Sequence, residues 1–389
     1  MSYILSNDNR YYVALEASYG SAAAATVLNR IPALKLTARQ ATERVQRKDK
    51  TGSRTFAGNP ARLRRETTFE LRTYMTSWSD PVAQPSYGPL LEACLGGPVK
   101  MFSGGTVAAT PDASKVTFSA AHGLMPGHAI ASGDEIRFVS AVVDANTVQL
   151  NAPFTTTPIA GAPIGPTAAY QPANDLKSVT LFDYWSPASS VQRIISGAAV
   201  DKLVVSVNGD FHEFDFSGQA RDLLDSASFE SGQCGLTEFP DEPAIEGAGY
   251  SVVPGHLGQV WLGSVPDRFF TLTKAQLTFQ NNLDLRAREF GADLPAAISP
   301  GQRNVTLDFN LYQQDDSATR ALYQAARQQS PISVMIQLGQ QQTQLFGIYM
   351  KSVMPEVPEF DDSERRQQWH FPKCRAQGSV DDEVFVAFG

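Results

Sequence analysis

The stretch "RETTFELRTY" (65–74) returns at 303–312 as "RNVTLDFNLY", and this repetition limits the possible folds more than any other feature. Arg65 answers Arg303, Thr68 answers Thr306, Glu70 answers Asp308 and Tyr74 answers Tyr312, while Phe69 and Leu71 are answered by Leu307 and Phe309. Both copies alternate with period two, the pattern of a half-buried strand. Thr67, Phe69, Leu71 and Thr73, like Val305, Leu307, Phe309 and Leu311, form the face expected to meet a core. The opposite faces, with Glu70 and Asp308, are expected to meet water or a partner.

The likeness extends past the strand. "SYGPLLEACLGG" predicts a short helix with Ser86 as N-cap, Pro89 in its first turn and Gly96 at its end. "DDSATRALYQAARQQSP" predicts its twin, capped by Asp316 or Ser317 and ended by Pro331. A proline and a new strand follow each helix, Pro98-Val99-Lys100-Met101 and Pro331-Ile332-Ser333-Val334. Further on, Gly197 and Leu203 in "SGAAVDKLVVSV" answer Gly347 and Val353 in "FGIYMKSVMPEV". The first copy is therefore longer, and composition shows where. Residues 105–168 open with "GGTVAATPDAS" and close with "TPIAGAPIGPTAA", both expected to be flexible seams. Between them lie the strands "KVTF", "DEIRFVSAV" and "NTVQLNAPF", with a turn at Asp144-Ala145-Asn146. The expected fold is mainly β: two β-sandwich or barrel domains, each with a flanking α-helix, plus a small inserted β domain. The boundaries read 1–104 for the first part of domain one, 105–168 for the insertion, 169–225 for its completion and 226–389 for domain two.

The 389 residues carry a net charge of −8 and 42% hydrophobic residues, enough for real cores. Charge is uneven. Residues 38–66 hold nine Lys/Arg (Arg39, Arg44, Arg47, Lys48, Lys50, Arg54, Arg62, Arg64 and Arg65) against three Asp/Glu, which leaves about −14 on the rest. This basic arm has three readings: a nucleic-acid contact, a solvated loop, or a docking arm for an acidic surface such as another copy of the chain. Against the first, the body is acidic and only Phe56 supplies an aromatic. The three cysteines form no CxxC, which suggests neither a disulfide framework nor a zinc site, and folding in a reducing cytoplasm is expected. No apolar run reaches membrane-spanning length, and "MSYILSNDNRYY" lacks the features of a signal peptide.

Motifs that carry chemistry are missing. The five histidines give no HxxxH or HExxH spacing, and no GxSxG, Walker loop or dinucleotide fingerprint occurs. His212, in "DFHEFDF", reads as a surface or strand-pairing residue. The pairs Asp315-Asp316, Asp361-Asp362 and Asp381-Asp382 read as polar turns or a helix start before they read as cation ligands. No enzyme activity, metal or cofactor is expected.

Taken in order, several stretches resemble the tail tube (major tail) proteins of long-tailed bacteriophages. They are "LEASYGS" (15–21), the basic loop before "ETTFELRTY", "YGPLLEACLGG" (87–97) and "VSVNGDFHEFDFSG" (205–218). "LTFQNNLDLRAREFGADLPAAISPGQRNVTLDFNLY" (277–312) and "PEFDDSERRQQWHFPKCRAQGSVDDEVFVAF" (358–388) complete the series. "HGLMPG" with "GDEIRF", in the insertion, resembles small β modules of phage structural proteins. The resemblance implies a sandwich or open barrel whose copies form rings, the rings stacking into a hollow tube through which the genome passes. It implies a long early loop that touches the next ring, which falls at the basic arm, and a polar, acidic lumen, for which Glu70 and Asp308 are the candidates. Two domains per chain imply a trimeric ring with pseudo-six-fold symmetry, a hexamer being the alternative. The implied partners are the chain itself, tail terminator, tape measure and baseplate proteins, and DNA in transit without specific binding, with no membrane. The implied location is the virion tail, after assembly in the host cytoplasm. The competing reading is a tail-associated adhesin or depolymerase, which aromatic sugar platforms would favour.

Overall fold

The computed structural model describes residues 3–42, 50, 52–55, 58, 63–78, 80, 83–244 and 250–389. The fold is mainly β, with two α-helices among the described residues, Gly88–Leu95 and Ser317–Gln328. The twin strands are Arg65–Tyr74 and Asn304–Tyr312. Their odd-numbered residues from Thr67 to Thr73 and from Val305 to Leu311 are buried, as the alternation requires.

Each twin is the second strand of the same four-stranded antiparallel layer. In the first unit the order is Ala33–Thr42, Arg65–Tyr74, Glu213–Ala220 and the second half of Arg193–Val207. In the second unit it is Leu272–Gln280, Asn304–Tyr312, Gln368–Ala376, then the end of Phe346–Met354 with Glu359–Asp361. A second layer repeats as well. Asn9–Leu15, Val179–Trp185, the first half of Arg193–Val207 and Asp222–Asp225 pair in that order. So do Gly258–Gly263, Ile332–Leu338, Phe346–Met354 and Phe385–Phe388. One long strand thus serves both layers of the first unit. It bends at Gly197, whose φ of +63 is easy only for glycine, and the neighbouring strand Glu213–Ala220 presses close against it at Gly218, where an added Cβ would lie 2.0 Å from the Ala199 carbonyl.

This pairing corrects one sequence alignment. The counterpart of Ile332–Leu338 is Val179–Trp185, not Lys100–Phe102. The short strand Lys100–Phe102 pairs with Thr167–Tyr170, which extends the second unit's second layer through Phe385–Phe388. A proline followed by an alternating tripeptide is a local resemblance, whereas strand identity is fixed by hydrogen-bonded neighbours.

The two layers sandwich one core, in which Phe69, Leu71, Phe216, Leu277, Phe309 and Ile348 are all buried. Each such side chain contributes about 1.5–3 kcal/mol by leaving water. The helices differ. Gly88–Leu95 is buried along its whole length. Its N-cap is Tyr87, not Ser86, and the Tyr87 hydroxyl is used elsewhere: it donates to the Tyr74 carbonyl (2.7 Å) and meets the Thr76 hydroxyl (2.8 Å), tying the helix to the end of the first twin. Ser317–Gln328 is half exposed and is capped by Asp316, whose Oδ1 accepts from Thr319 N at 2.6 Å.

The insertion forms its own six-stranded sheet, ordered Pro163–Ile164, Gly105–Asp112, Lys115–Phe118, Thr147–Leu150, Glu135–Val142 and Ala129–Ser132. A bridge between Ala131 and Gly165 draws its two ends together. Asp144 makes the expected turn, Oδ1 accepting from Asn146 N and Thr147 N at 2.8 Å. The seams are not flexible loops. Thr106 pairs with Pro163 and Gly105 with Ile164, so lead-in and exit hold each other as strands. The module also docks firmly. Ile136 and Phe138 pack with Trp261, Met335, Leu345, Tyr349 and Phe385 on the face of the second unit's second layer that points away from the main core. Between them lies a buried polar group of side chains. Arg137 donates to the carbonyls of Pro153 (3.0 Å) and Ile136 (2.7 Å), to Gln337 (3.0 Å) and to Gln259 (3.2 Å). Glu135 stands 3.4 Å from Arg137, and the guanidinium also faces the rings of Phe154 and Trp261.

Candidate functional site

The two first layers join. The second half of Arg193–Val207 pairs antiparallel with Leu272–Gln280, from Lys202 opposite Gln280 to Val207 opposite Ala275. The fourth strand of unit one is thereby welded to the first strand of unit two, giving one continuous eight-stranded sheet. Its two outermost strands have a strand partner on one side only among the described residues: Ala33–Thr42 at one border and Glu359–Asp361 at the other. Such edges carry unpaired backbone N–H and C=O groups that template further pairing.

These borders match. Within the sheet, Ala38 lies opposite Phe69 as Leu277 lies opposite Leu307, and Arg39 lies opposite Thr68 as Thr278 lies opposite Thr306. On the other border Phe360 lies opposite Trp369 as Val205 lies opposite Phe214, and Glu359 opposite His370 as Val204 opposite Asp215. The internal joint sets Val205 against Leu277 and Val204 against Thr278. Repeating that joint between two copies would set Phe360 against Ala38 and Glu359 against Arg39. Phe360 is 56% exposed in the single chain although it packs on Tyr323 and Trp369. An apolar ring on an open strand edge, beside complementary charges, suits a partner strand.

The sheet's uncovered face is polar. Glu70 is exposed, opposite Thr37 on one side and Ser217 on the other. Asp308 lies opposite Gln276, and its Oδ1 accepts from Lys373 N at 3.0 Å. The two carboxylates are four strands apart, roughly 19 Å. Cations share the face: Arg72 pairs with Glu213 and stands 3.6 Å from Asp215, while Lys35, Lys202 and Lys274 lie nearby on the same side. The face is mixed in charge rather than predominantly acidic.

The basic arm divides. Arg39 belongs to the border strand itself. Lys50 and Arg54 are exposed. Arg64 and Arg65 approach residues 281–303 of the other unit, Arg65 standing 3.8 Å from Asp293, and Arg65 also stands 3.3 Å from Asp222 of its own unit. Arg44, Arg47, Lys48 and Arg62 lie outside the described residues. Sequence reasoning overlooked Phe360, Glu359 and Ala38. The only signal for them is a lone aromatic within the polar run "PEFDDSERR".

Side chains with chemical potential are occupied structurally. Glu16, in "LEASYGS", is buried and accepts from Gly20 N (2.8 Å), Ser178 Oγ (2.6 Å), Thr180 Oγ1 (2.8 Å) and Gly197 N (2.8 Å), pinning the N-terminal strand at the bend of the long strand. Asp361 and Asp382 hold turns through Ser363 N (2.9 Å) and Ser379 N (2.7 Å). His212 is buried rather than exposed, its Nε2 3.0 Å from the Leu257 carbonyl. No group of three or more His, Cys, Asp or Glu able to hold a metal is found among the described residues, and no helix there is long and apolar enough to cross a membrane.

Two buried imidazoles make stability depend on pH. Burial, helped by nearby Lys100, pushes His128 down to about 4, and burial also lowers His212. Both bind a proton more weakly folded than unfolded, so their contribution is intact above about pH 6.5 and is lost as pH falls from there toward 4. Urea unfolding should show a midpoint that declines over this window, and His128→Gln should flatten the decline. An unchanged slope in that variant would remove His128 as a cause.

Compared with protein-family models and with curated proteins, the sequence matches none of either.

Proposed function

We propose that the chain is a structural tube protein of a phage tail, closing into rings that stack around a lumen through which the genome passes. One observation carries this reading: the two units of a single chain are already joined edge to edge, and the borders left over reproduce the two sides of that joint. Interfaces of this head-to-tail kind generate closed rings when the rotation closes. Closure removes the sheet's edges, as in any barrel. The resemblance noted in the sequence suggests six units around, hence three chains.

The layering supports the same reading. The polar face would line the lumen, where Glu70 and Asp308 alternate and the mixed charges give passing DNA no continuous basic track. The module sits on the far side of the second unit's second layer and would decorate the exterior, once per chain. Fusing two units keeps neighbours at high effective concentration, so half of the joints need no encounter between chains.

Electron microscopy of the purified protein, with or without tail initiators, should show rings or tubes. A reconstruction should give six similar wall units with true three-fold symmetry and three exterior modules per ring. Six full-length chains per ring would sink the trimer. A lasting monomer that cleaves a glycan would sink the structural role altogether.

A further inference from the structure

In each unit the first and second strands are linked by a long connection, 43–64 in unit one and 281–303 in unit two. The second connection does not stand free. It folds on itself, with Asp284–Leu285 pairing with Ile298–Ser299, and buries Leu285. It then lies across the end of unit one. Arg65 N donates to the Asp293 carbonyl at 3.0 Å, and Arg64 Nη2 reaches the Arg288 carbonyl at 3.5 Å. The seat it uses is formed by Arg65, Thr67, Gln219 and Ala220.

The same place exists on unit two. Pairing equates Arg65 with Arg303, Thr67 with Val305, Gln219 with Arg375 and Ala220 with Ala376. There these residues line an open groove of 810 Å³, bordered by Gln377 and Asp381. No segment of the chain fills it among the described residues, and Arg303 N, the twin of Arg65 N, meets no acceptor there. Arg303 itself is held as Arg65 is, by neighbouring carboxylates: it pairs with Asp381 and stands 3.1 Å from Glu383. So the groove is a shaped seat whose equivalent on the same chain is roofed by the 281–303 connection across a 540 Å³ cavity.

The geometry points to the occupant: the 43–64 connection of a second copy, laid laterally across the neighbouring chain rather than reaching toward a stacked ring. The operation that carries the internal joint onto the outer borders also carries the 281–303 connection onto 43–64, and its seat onto this groove. Sequence supports the equivalence, since "RTFAGNPA" (54–61) parallels "REFGADLPA" (288–296). By that match Asn59 is the sequence counterpart of Asp293, as Gln302, the residue preceding Arg303, is that of Arg64. Charge does not select the occupant, because the seat's carboxylates are already paired. Shape and the backbone donor do. This inference rests on the ring reading and assigns the basic arm a partner within it.

Cysteine cross-linking tests it. In a Cys234→Ser background, Asp293→Cys with Arg64→Cys should close a bond within one chain and calibrates the template. Asn59→Cys with Gln302→Cys should instead join different chains in assembled protein, giving a denaturing-gel ladder that ends at a closed three-chain species. Rings seen by electron microscopy that yield no intermolecular bond, while the calibrating pair closes, would overturn the lateral seat and leave the ring standing. Bonds only between stacked rings, detected because single rings stay uncross-linked, would overturn it equally. Failure to assemble at all would remove both readings.

Discussion

Phe360→Glu should leave the chain folded and abolish ring closure. In the internal joint, Val205 and Leu277 face each other and both are buried. Phe360 and Ala38 hold the matching positions on the outer borders, so closure would bury them in the same way. A carboxylate at 360 remains hydrated in the free chain. On joining it would be desolvated without a cation on the core side, costing on the order of 3 kcal/mol per joint. The free chain loses only the half-exposed ring contacts with Tyr323 and Trp369, about 0.5–1.5 kcal/mol. Sedimentation should therefore show monomers with a small fall in Tm. Ala38→Glu should behave alike from the other border. Assembly as in the wild type by both variants would show that these edges do not meet.

Charge gives a finer check on the same register. Arg39 and Glu359 would face each other across the joint on the exposed side, where an ion pair is worth about 0–1 kcal/mol. Reversing either alone should weaken assembly modestly and in a salt-dependent way. Reversing both should restore it. The coupling, rather than either single effect, reports the contact.

The repeat was legible in sequence because alternation and polar placement are local properties. "RETTFELRTY" and "RNVTLDFNLY" carry them in full, and both fold as the expected strands with the expected faces buried. The insertion was legible through its Gly, Ala and Pro content, but its connection to the body was not. Lys100–Phe102 imitates Ile332–Leu338 over three residues, and only its partner strand reveals the difference. Edges were hidden for a deeper reason. Whether Ala33–Thr42 is central or terminal depends on what fails to pair with it, which no composition records. The net charge of −8 likewise describes the whole chain and not a face, so it could not foretell Lys35, Lys202 and Lys274 beside Glu70. Docking of the module was invisible because Arg137 and its acceptor Gln337 are 200 residues apart.

That docking supplies the second large effect. Arg137 is fully buried, and burial pushes its guanidinium down to about 10, with nearby Glu135 opposing the fall. It therefore stays charged at neutral pH, held by two carbonyls, two glutamines and a carboxylate. Arg137→Met keeps the bulk but leaves Glu135 buried without its cation, and such a break costs about 3–5 kcal/mol. Glu135 retains donors of its own, Thr155 N at 2.8 Å and Gln259 Nε2 at 3.1 Å, so it cannot simply turn to solvent. Adding Glu135→Gln removes the orphaned charge, and the double variant should recover most of the loss, because replacing both partners is far cheaper than stranding one. Urea unfolding should show the single variant well below the double. Excision of the module by a Gly/Ser linker should be worse than either, since it bares Trp261, Met335, Tyr349 and Phe385 together. Such a patch promotes aggregation whether or not the rings can close. A double variant no more stable than Arg137→Met would mean that the hydrogen bonds to Gln337 and Gln259, not the charge pair, fasten the module to the second unit.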